Sequence, residues 1–326
     1  MFRKFLLLTL FATLLFGCAP AITPQPAPAA GSTQPAPVQT EAPAAAPTPA
    51  GIVLTDGLGR EVKLTSPAQK IVSLAPSNTE ILFAVGAGSQ VVGRDELSDY
   101  PEAAKSVTSI GSTFKDLNTE QIISLHPDLV LAAEVNTPEQ VKALEGLGLT
   151  GYYLKNPTTR DEMYGNMEIA AQLTGHAAEA AAAIESLKAR VAAVNAKAAA
   201  AATRPTVFYE LDATDPAKPY TAGKGTFITT LLEAAGGQNI AAQIDGYPQM
   251  SLEQVVADNP AFIILGDAAY GITPESVAAR PGWGNLNAVK SKQVLPFDDN
   301  LLSRPGPRLV DGLEALAKLL HPELFK

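Results

Sequence analysis

The sequence predicts an α/β protein of two lobes joined by one long helix, and three observations predict it. The segment 176–202, HAAEAAAAIESLKARVAAVNAKAAAAA, is rich in Ala, Glu, Lys and Leu, which lose least on entering a helix. Within it Ile184, Leu187, Val191 and Val194 recur at 3-4-3 spacing, a narrow apolar stripe on one face. Gly175 breaks the chain before this segment. Arg204-Pro205 ends it, because a residue preceding proline avoids the helical region. At about 1.5 Å per residue such a helix spans roughly 40 Å, the width of a small domain. On both sides of it short β-branched runs alternate with short helices, the pattern of parallel sheets covered on both faces. The chain of 326 residues also exceeds the size at which one core is usual. This divides it into an N-terminal lobe over 51–175, a joining helix over 176–203 and a C-terminal lobe over 204–326.

Before the first lobe, Arg3 and Lys4 precede the apolar run Phe5 to Phe16, a signal-peptide pattern rather than a membrane span. The run closes on Leu15-Phe16-Gly17-Cys18, which resembles the bacterial lipobox. The resemblance implies that 1–18 is a lipoprotein signal peptide, with cleavage before Cys18, lipidation of that thiol and export. Cys18 is the sole cysteine, so neither a disulfide nor a thiol nucleophile is expected in the lobes. Residues 19–50 are almost wholly Ala, Pro, Thr and Gln. Such a segment cannot bury a core and reads as an extended tether between lipid and domain. The folded part is then expected to be lipid-anchored at the outer face of a membrane. A formal charge of −9 with no basic cluster in the body argues against nucleic acid.

In the first lobe Ile71–Ala75 reads as a buried strand, and Pro76 to Glu80 turns into a helix over Ile81–Val85. Val91–Gly93 is a second strand. A helix from Thr119 leads to the strand Leu129–Ala133. Pro138–Leu147 is helical, Gly151–Leu154 a strand, and Arg160–Leu173 an amphipathic helix. Ligands of parallel sheets bind beyond the carboxyl ends of the strands. That rule brings Pro76-Ser77-Asn78, Arg94 to Tyr100 and Ser112-Thr113-Phe114 to one rim. In the second lobe Thr206–Leu211, Phe262–Leu265 and Gln293–Phe297 read as strands. Tyr220 to Gly223 is a loop before the helix Phe227–Ala235, and Arg308–Leu320 is the closing helix.

One pair of segments repeats residue by residue. Thr119 to Leu131 and Leu252 to Ile264 both read x-E-Q-[IV]-[IV]-x-x-x-P-x-Φ-[VI]-[IL], with Φ apolar: a helix, a proline turn and a buried strand. Glu120 and Glu253 each follow a good N-cap, Asn118 or Ser251, by two residues. A carboxylate there favours the helix dipole. Its recurrence in both lobes suggests in addition a use by a symmetric partner.

The chain resembles the substrate-binding lipoproteins of ABC importers for cobalamin, haem and ferric siderophores, and most of all the vitamin B12-binding members. The residues that carry this are Ile71 to Glu80, Ser98-Asp99-Tyr100-Pro101, the Glu120 and Glu253 segments, Tyr220 to Lys224, and Arg304-Pro305-Gly306-Pro307-Arg308-Leu309. The resemblance runs from about residue 70 to the end. It implies a class III periplasmic-binding-protein fold, two Rossmann-like α/β lobes joined by a single helix, holding a small-molecule ligand between them. It also implies a partner, an ABC permease dimer whose arginines would be met by Glu120 and Glu253. Carboxylate–guanidinium pairs are bidentate and suit docking. For cobalamin or a related corrinoid, the matching positions are Phe114, Tyr220 and Tyr247, with Pro76 beside them and Arg304 from the second lobe. Aromatic rings offer wide apolar contact at low entropic cost. The sequence departs from the pattern at Leu97 and Ala133, where aromatics are usual. No cofactor, metal or catalytic group is implied, and a monomer is expected.

Two alternatives lie within the same class. Haem would need an axial ligand; His126, His176 and His321 lie at helix ends away from the rim, which leaves Tyr100, Tyr220 or Tyr247. A ferric siderophore would favour a basic cleft, for which Arg94, Lys224, Arg280 and Arg304 are the candidates. A remote alternative is a surface-tethered chelatase-like enzyme. The sequence has no His-x-x-x-His, no Gly-x-Ser-x-Gly and no P-loop; Gly223 to Thr226 lacks the upstream glycine spacing. Asp298-Asp299 reads as capping the turn before the last helix. A purely structural surface protein would show no saturable ligand.

Overall fold

The computed structural model describes residues 51–325, and the expected signal peptide, Cys18 and the expected tether lie outside the described residues. A hairpin of β1 (Ile52–Thr55) and β2 (Glu61–Leu64) comes first, antiparallel and with alternate residues buried; the short runs 52–55 and 61–64 were not expected as strands. The first sheet holds β3 (Ile71–Ser73), β4 (Val91–Arg94), β5 (Thr108–Ser109), β6 (Leu129–Ala133) and β7 (Gly151–Leu154). Its order is β5-β4-β3-β6-β7, parallel throughout. The helices of this lobe are α1 (Pro76–Ala84), α2 (Thr119–Ser124), α3 (Pro138–Gly146) and α4 (Arg160–Thr174). Helix α1 begins at Pro76 rather than at Ile81, because a proline at the first helical position needs no amide partner and its fixed φ suits the helix.

Helix α5 (Ala177–Ala199) is the joining helix, started by Gly175 in the left-handed conformation at the end of α4. Ala180, Ile184, Leu187, Val191 and Val194 are its buried residues. The second lobe follows with β8 (Thr206–Asp212), β9 (Tyr220–Thr221), α6 (Phe227–Ala234), β10 (Gln238–Asn239), α7 (Leu252–Asp258) and β11 (Phe262–Leu265). It ends with α8 (Pro274–Ala278), α9 (Asn287–Lys290), β12 (Val294–Pro296), α10 (Asn300–Ser303) and α11 (Leu309–Leu320). The parallel order is β10-β8-β11-β12, and β9 pairs antiparallel with the end of β8, so Tyr220 lies on a short strand where a loop was expected.

The lobes are not independent bodies. One apolar cluster runs from Val62, Ile71 and Met167 through the stripe of α5 to Leu232, Leu313 and Leu320. The joining helix is therefore laid along a core that both lobes share, packed on α4 and on α11. Arg190 on its flank bonds Asp311 and Glu314 of α11 at 2.5 to 2.8 Å. Smaller clusters lie beneath α2 and α3 in the first lobe and around Trp283 in the second. Among the described residues no helix is long and apolar enough to cross a membrane.

The repeat seen in the sequence is a repeat of backbone as well. Asn118 accepts from the Gln121 amide at 3.1 Å, and Ser251 accepts from the Gln254 amide at 3.3 Å. Seven residues into each repeat, His126 and Asn259 adopt φ of 49° and 45°, left-handed turns ahead of Pro127 and Pro260.

Because the α5 stripe belongs to the shared core, truncating it should weaken the whole fold. Ile184→Ala, at a residue 3% exposed, is expected to cost about 2–5 kcal/mol in urea unfolding. A loss below about 1 kcal/mol would mean that α5 only lies on the surface.

Candidate functional site

Two adjoining cavities lie between the lobes. The first, about 250 Å³, is lined from one side by Pro76, Leu97, Phe114 and Asn156 and from the other by Asn300, Ser303 and Arg304. The second, about 200 Å³, shares Asn156, Ser303 and Pro305 with it and adds Tyr247, Lys155 and Glu134. Each lining segment follows a strand or opens a helix at the strands' carboxyl ends: Pro76 after β3, Ala133 at the end of β6, Asn156 after β7 and Asn300 after β12. The structure thus brings together Pro76, Phe114 and Arg304, with Tyr247 in the adjoining cavity. Phe114 and Tyr247 are 56% and 60% exposed, aromatic surface free to meet a ligand. Tyr220 lines neither cavity; the pairing of β9 with β8, and its own bridge to Gln249, hold its backbone at the sheet edge. Leu97 and Ala133 do line the first cavity, so the sequence departs from the aromatic pattern at the site itself.

The wall of the site is an ion cluster joining the lobes. Arg308 Nη2 donates to Glu80 Oε1 at 2.6 Å, and its guanidinium stacks 4.2 Å above the ring of Tyr100. Arg304 Nη1 lies 2.7 Å from Asp99 Oδ1 and 3.5 Å from Glu80 Oε1. Behind it Ser98 and Thr79 share a hydroxyl bond at 2.8 Å, and Ser98 also bonds Asp95. Burial pushes the carboxyls of Glu80 and Asp95 above their ordinary range, outweighing the arginines that oppose it. At Asp99 partial burial is outweighed by the Arg304 hydrogen bond, and its carboxyl stays below the usual value. Glu80 and Arg308 also border a further cavity between the lobes, about 340 Å³, closed by Leu187 and Arg190 of α5.

Of the four basic candidates, Arg304 alone lines either cavity. Arg280 is spent on a buried bidentate pair with Glu210, at 2.6 and 2.8 Å, and lies over Trp283. Arg94 donates to the carbonyls of Ala104 and Asp95 at 2.9 Å. Lys224 is exposed beside Asp245, in neither cavity. Thr226 of the Gly223 to Thr226 loop caps α6, accepting from the Thr229 amide. A Cβ on Gly223 would fall 2.0 Å from the Ile244 carbonyl, so glycine there is needed for a close backbone approach rather than for phosphate. Asp298 accepts from the Asn300 amide at 3.1 Å as a turn cap, while Asp299 takes the hydroxyl of Tyr209 at 2.7 Å. His176 meets Gln90 and His321 meets the Gly236 carbonyl, both away from the cleft. No cluster of three or more His, Cys, Asp or Glu side chains suited to a metal ion occurs among the described residues. Glu120 and Glu253 are exposed on the first turns of α2 and α7, and neither forms an ion pair among the described residues.

The periplasmic binding protein family model matches residues 71–301, the span that builds both parallel sheets and most of the cleft lining. The chain belongs to that family. An ABC transporter substrate-binding lipoprotein of Bacillus subtilis is 35% identical over 280 residues, 84% of this chain and 87% of that one. A cobalamin-binding protein of Halobacterium salinarum is 31% identical over 95% of this chain and 84% of its own length. Among solved structures, the periplasmic heme-binding protein RhuT of Roseiflexus superposes with a TM-score of 0.70 at 28% identity, over 79% of this chain and 99% of that one. The family's members are solute-binding transport proteins, and the two-lobed α/β architecture is theirs.

Sequence reasoning missed Asn156, Asn300 and Ser303; the first two stand within a few residues of strand ends, which the strand-end rule could have flagged. It also missed Asp267, which borders a cavity of about 300 Å³ in the second lobe with Asp212 and Tyr270. Burial and the neighbouring Glu210 charge push its carboxyl up to about 7. A carboxyl raised on folding stabilises the protein in its protonated form, and that contribution is lost as pH rises through the folded value. Relative to Asp267→Asn, the wild type should therefore lose melting temperature between about pH 4 and 7. A pH-independent difference would contradict this assignment.

Proposed function

We propose that the protein is the exported substrate-binding component of an ABC importer that captures cobalamin or a related corrinoid between its lobes and delivers it to a permease dimer. It works as a monomer tethered through lipid on Cys18. The observation that carries the ligand class is the lining of the cleft. Exposed aromatic rings, Phe114 and Tyr247, stand beside neutral amides and hydroxyls, Ser77, Asn156, Asn300 and Ser303, while the arginine present is already paired. A corrin ring carries amide side chains, which such groups match as donors and acceptors. The 31% identity to a cobalamin-binding protein supports the same choice.

Haem import is the second reading, supported by the likeness to the heme-binding RhuT. It needs an iron ligand, and Tyr247 is the candidate in the cleft. Partial enclosure and the Asp299 charge raise the Tyr247 phenol, which opposes the phenolate that iron would need.

Spectroscopic and calorimetric titration of the full chain in detergent, with cyanocobalamin, dicyanocobinamide and hemin in turn, decides between them. One-to-one corrinoid binding without haem binding is expected. A shifted Soret band with no corrinoid uptake would overturn the corrinoid reading.

Delivery is assigned to Glu120 and Glu253, exposed and without an ion pair among the described residues, on matching helix starts of the two lobes. The double substitution Glu120→Ala, Glu253→Ala should abolish uptake in cells expressing the importer and leave ligand affinity within about twofold, since neither residue lines the cleft. Normal uptake would remove the docking role.

A further inference from the structure

We infer that Asp99 is a specificity determinant of the cleft: by pairing with Arg304 it withholds the first cavity's charged side chain from ligand carboxylates and tunes the site to ligands with a neutral periphery. This rests on the cleft being the ligand site, as proposed above. Among the described residues, Arg304 is the one charged side chain lining the cavity that contains Phe114, Asn156 and Asn300. Its Nη1 lies 2.7 Å from Asp99 Oδ1 and 3.5 Å from Glu80 Oε1.

The two carboxylates have different duties. Glu80 is buried and is bonded most closely by Arg308, at 2.6 Å, so it offers Arg304 only a distant share. Asp99, with its side chain 56% exposed, is the closer partner and has no other side-chain bond among the described residues. Arg304 and Arg308 face Glu80 and Asp99 directly, with Asp95 behind them, so carboxyl groups match both guanidinium groups within the cluster. In the adjoining cavity Lys155 is balanced by Glu134. Because Arg304 holds the Asp99 carboxyl below its ordinary value, the pairing persists from neutral into mildly acid conditions. Loss of the Asp99 charge would leave one guanidinium edge free for a ligand carboxylate, a charge-assisted bond that needs no new backbone geometry.

The test uses two corrinoids that differ in the periphery: dicyanocobinamide, whose side chains are amides, and dicyanocobyrinic acid, whose side chains are carboxylates. Their affinities are measured for the full-length wild type, for Asp99→Asn and for Asp99→Asn combined with Arg304→Gln, with Asp99→Ser as a second single variant. The ratio of the two affinities is the readout, because a general loss of structure would lower both together. The wild type should favour the amide form. Either single variant should shift the ratio toward the carboxylate form by about tenfold, and the double variant should cancel the shift. An unchanged ratio in the single variants, or a shift that survives Arg304→Gln, would overturn the role of Asp99 while leaving corrinoid binding intact. If the wild type takes hemin and neither corrinoid, the ligand proposal fails by itself. Hemin against its dimethyl ester, in the same proteins, then decides the role of Asp99 by the same ratio.

Discussion

Glu80 is the carboxylate on which the two lobes converge. It stands on the first helix after β3, and its partners Arg304 and Arg308 come from the turn between α10 and α11, more than two hundred residues later. A carboxylate buried to 2% exposure pays a desolvation cost that only close, well-aimed donors offset. Such a cluster is a weak source of net stability. What it supplies is position, because its geometry is satisfied at one separation of the lobes. The apolar core beneath α5 adds to this constraint, since the stripe of that helix cannot leave one lobe without exposing surface shared with the other. The width of the cleft is therefore a property of packing on one side and of ion pairing on the other.

The same architecture explains why the two exposed glutamates stand apart from the cleft chemistry. Each is placed by a short helix whose start is fixed by its own cap, Asn118 or Ser251, and whose end is fixed by a left-handed residue before proline. Neither helix depends on the ligand-lining side chains. The two exposed glutamates and the cavity lining are thus built by different residues on one scaffold, and a change in one need not alter the other.

Much of this fold is legible in the sequence because the signals are local. The strands Leu129–Ala133, Gly151–Leu154 and Phe262–Leu265 are short apolar runs between turns, and they stand at the expected bounds. The joining helix follows from composition, a 3-4-3 stripe, a glycine and a proline. The β1–β2 hairpin escaped because four-residue strands with half their residues exposed carry little periodicity. In the candidate site, Pro76 and Phe114 lie on the rim that the strand-end rule marks, whereas Arg304, expected from the family resemblance, sits at the end of α10. Tyr220 stands outside both cavities, on a strand pairing that no residue pattern announces. Arg280 looked available and is committed to Glu210, 70 residues away; long-range ion pairs leave no mark on either segment alone.

That last difference decides how a charge in a cleft should be read. Counting basic residues near the rim would have made this a site for anions, with Arg94, Arg280 and Arg304 in place. The structure turns the first to backbone carbonyls, buries the second against a carboxylate and pairs the third across the lobes. The Arg304 Nη1 that holds Asp99 at 2.7 Å reaches a ligand carboxylate there only by giving up Asp99. Displacing that carboxylate would expose a charge that the cluster now balances. The amides and hydroxyls that remain, on Asn156, Asn300, Ser77 and Ser303, both donate and accept, and they favour partners that do the same. The charge this cleft presents therefore depends less on which charged residues the chain carries than on which of them its fold has already paired.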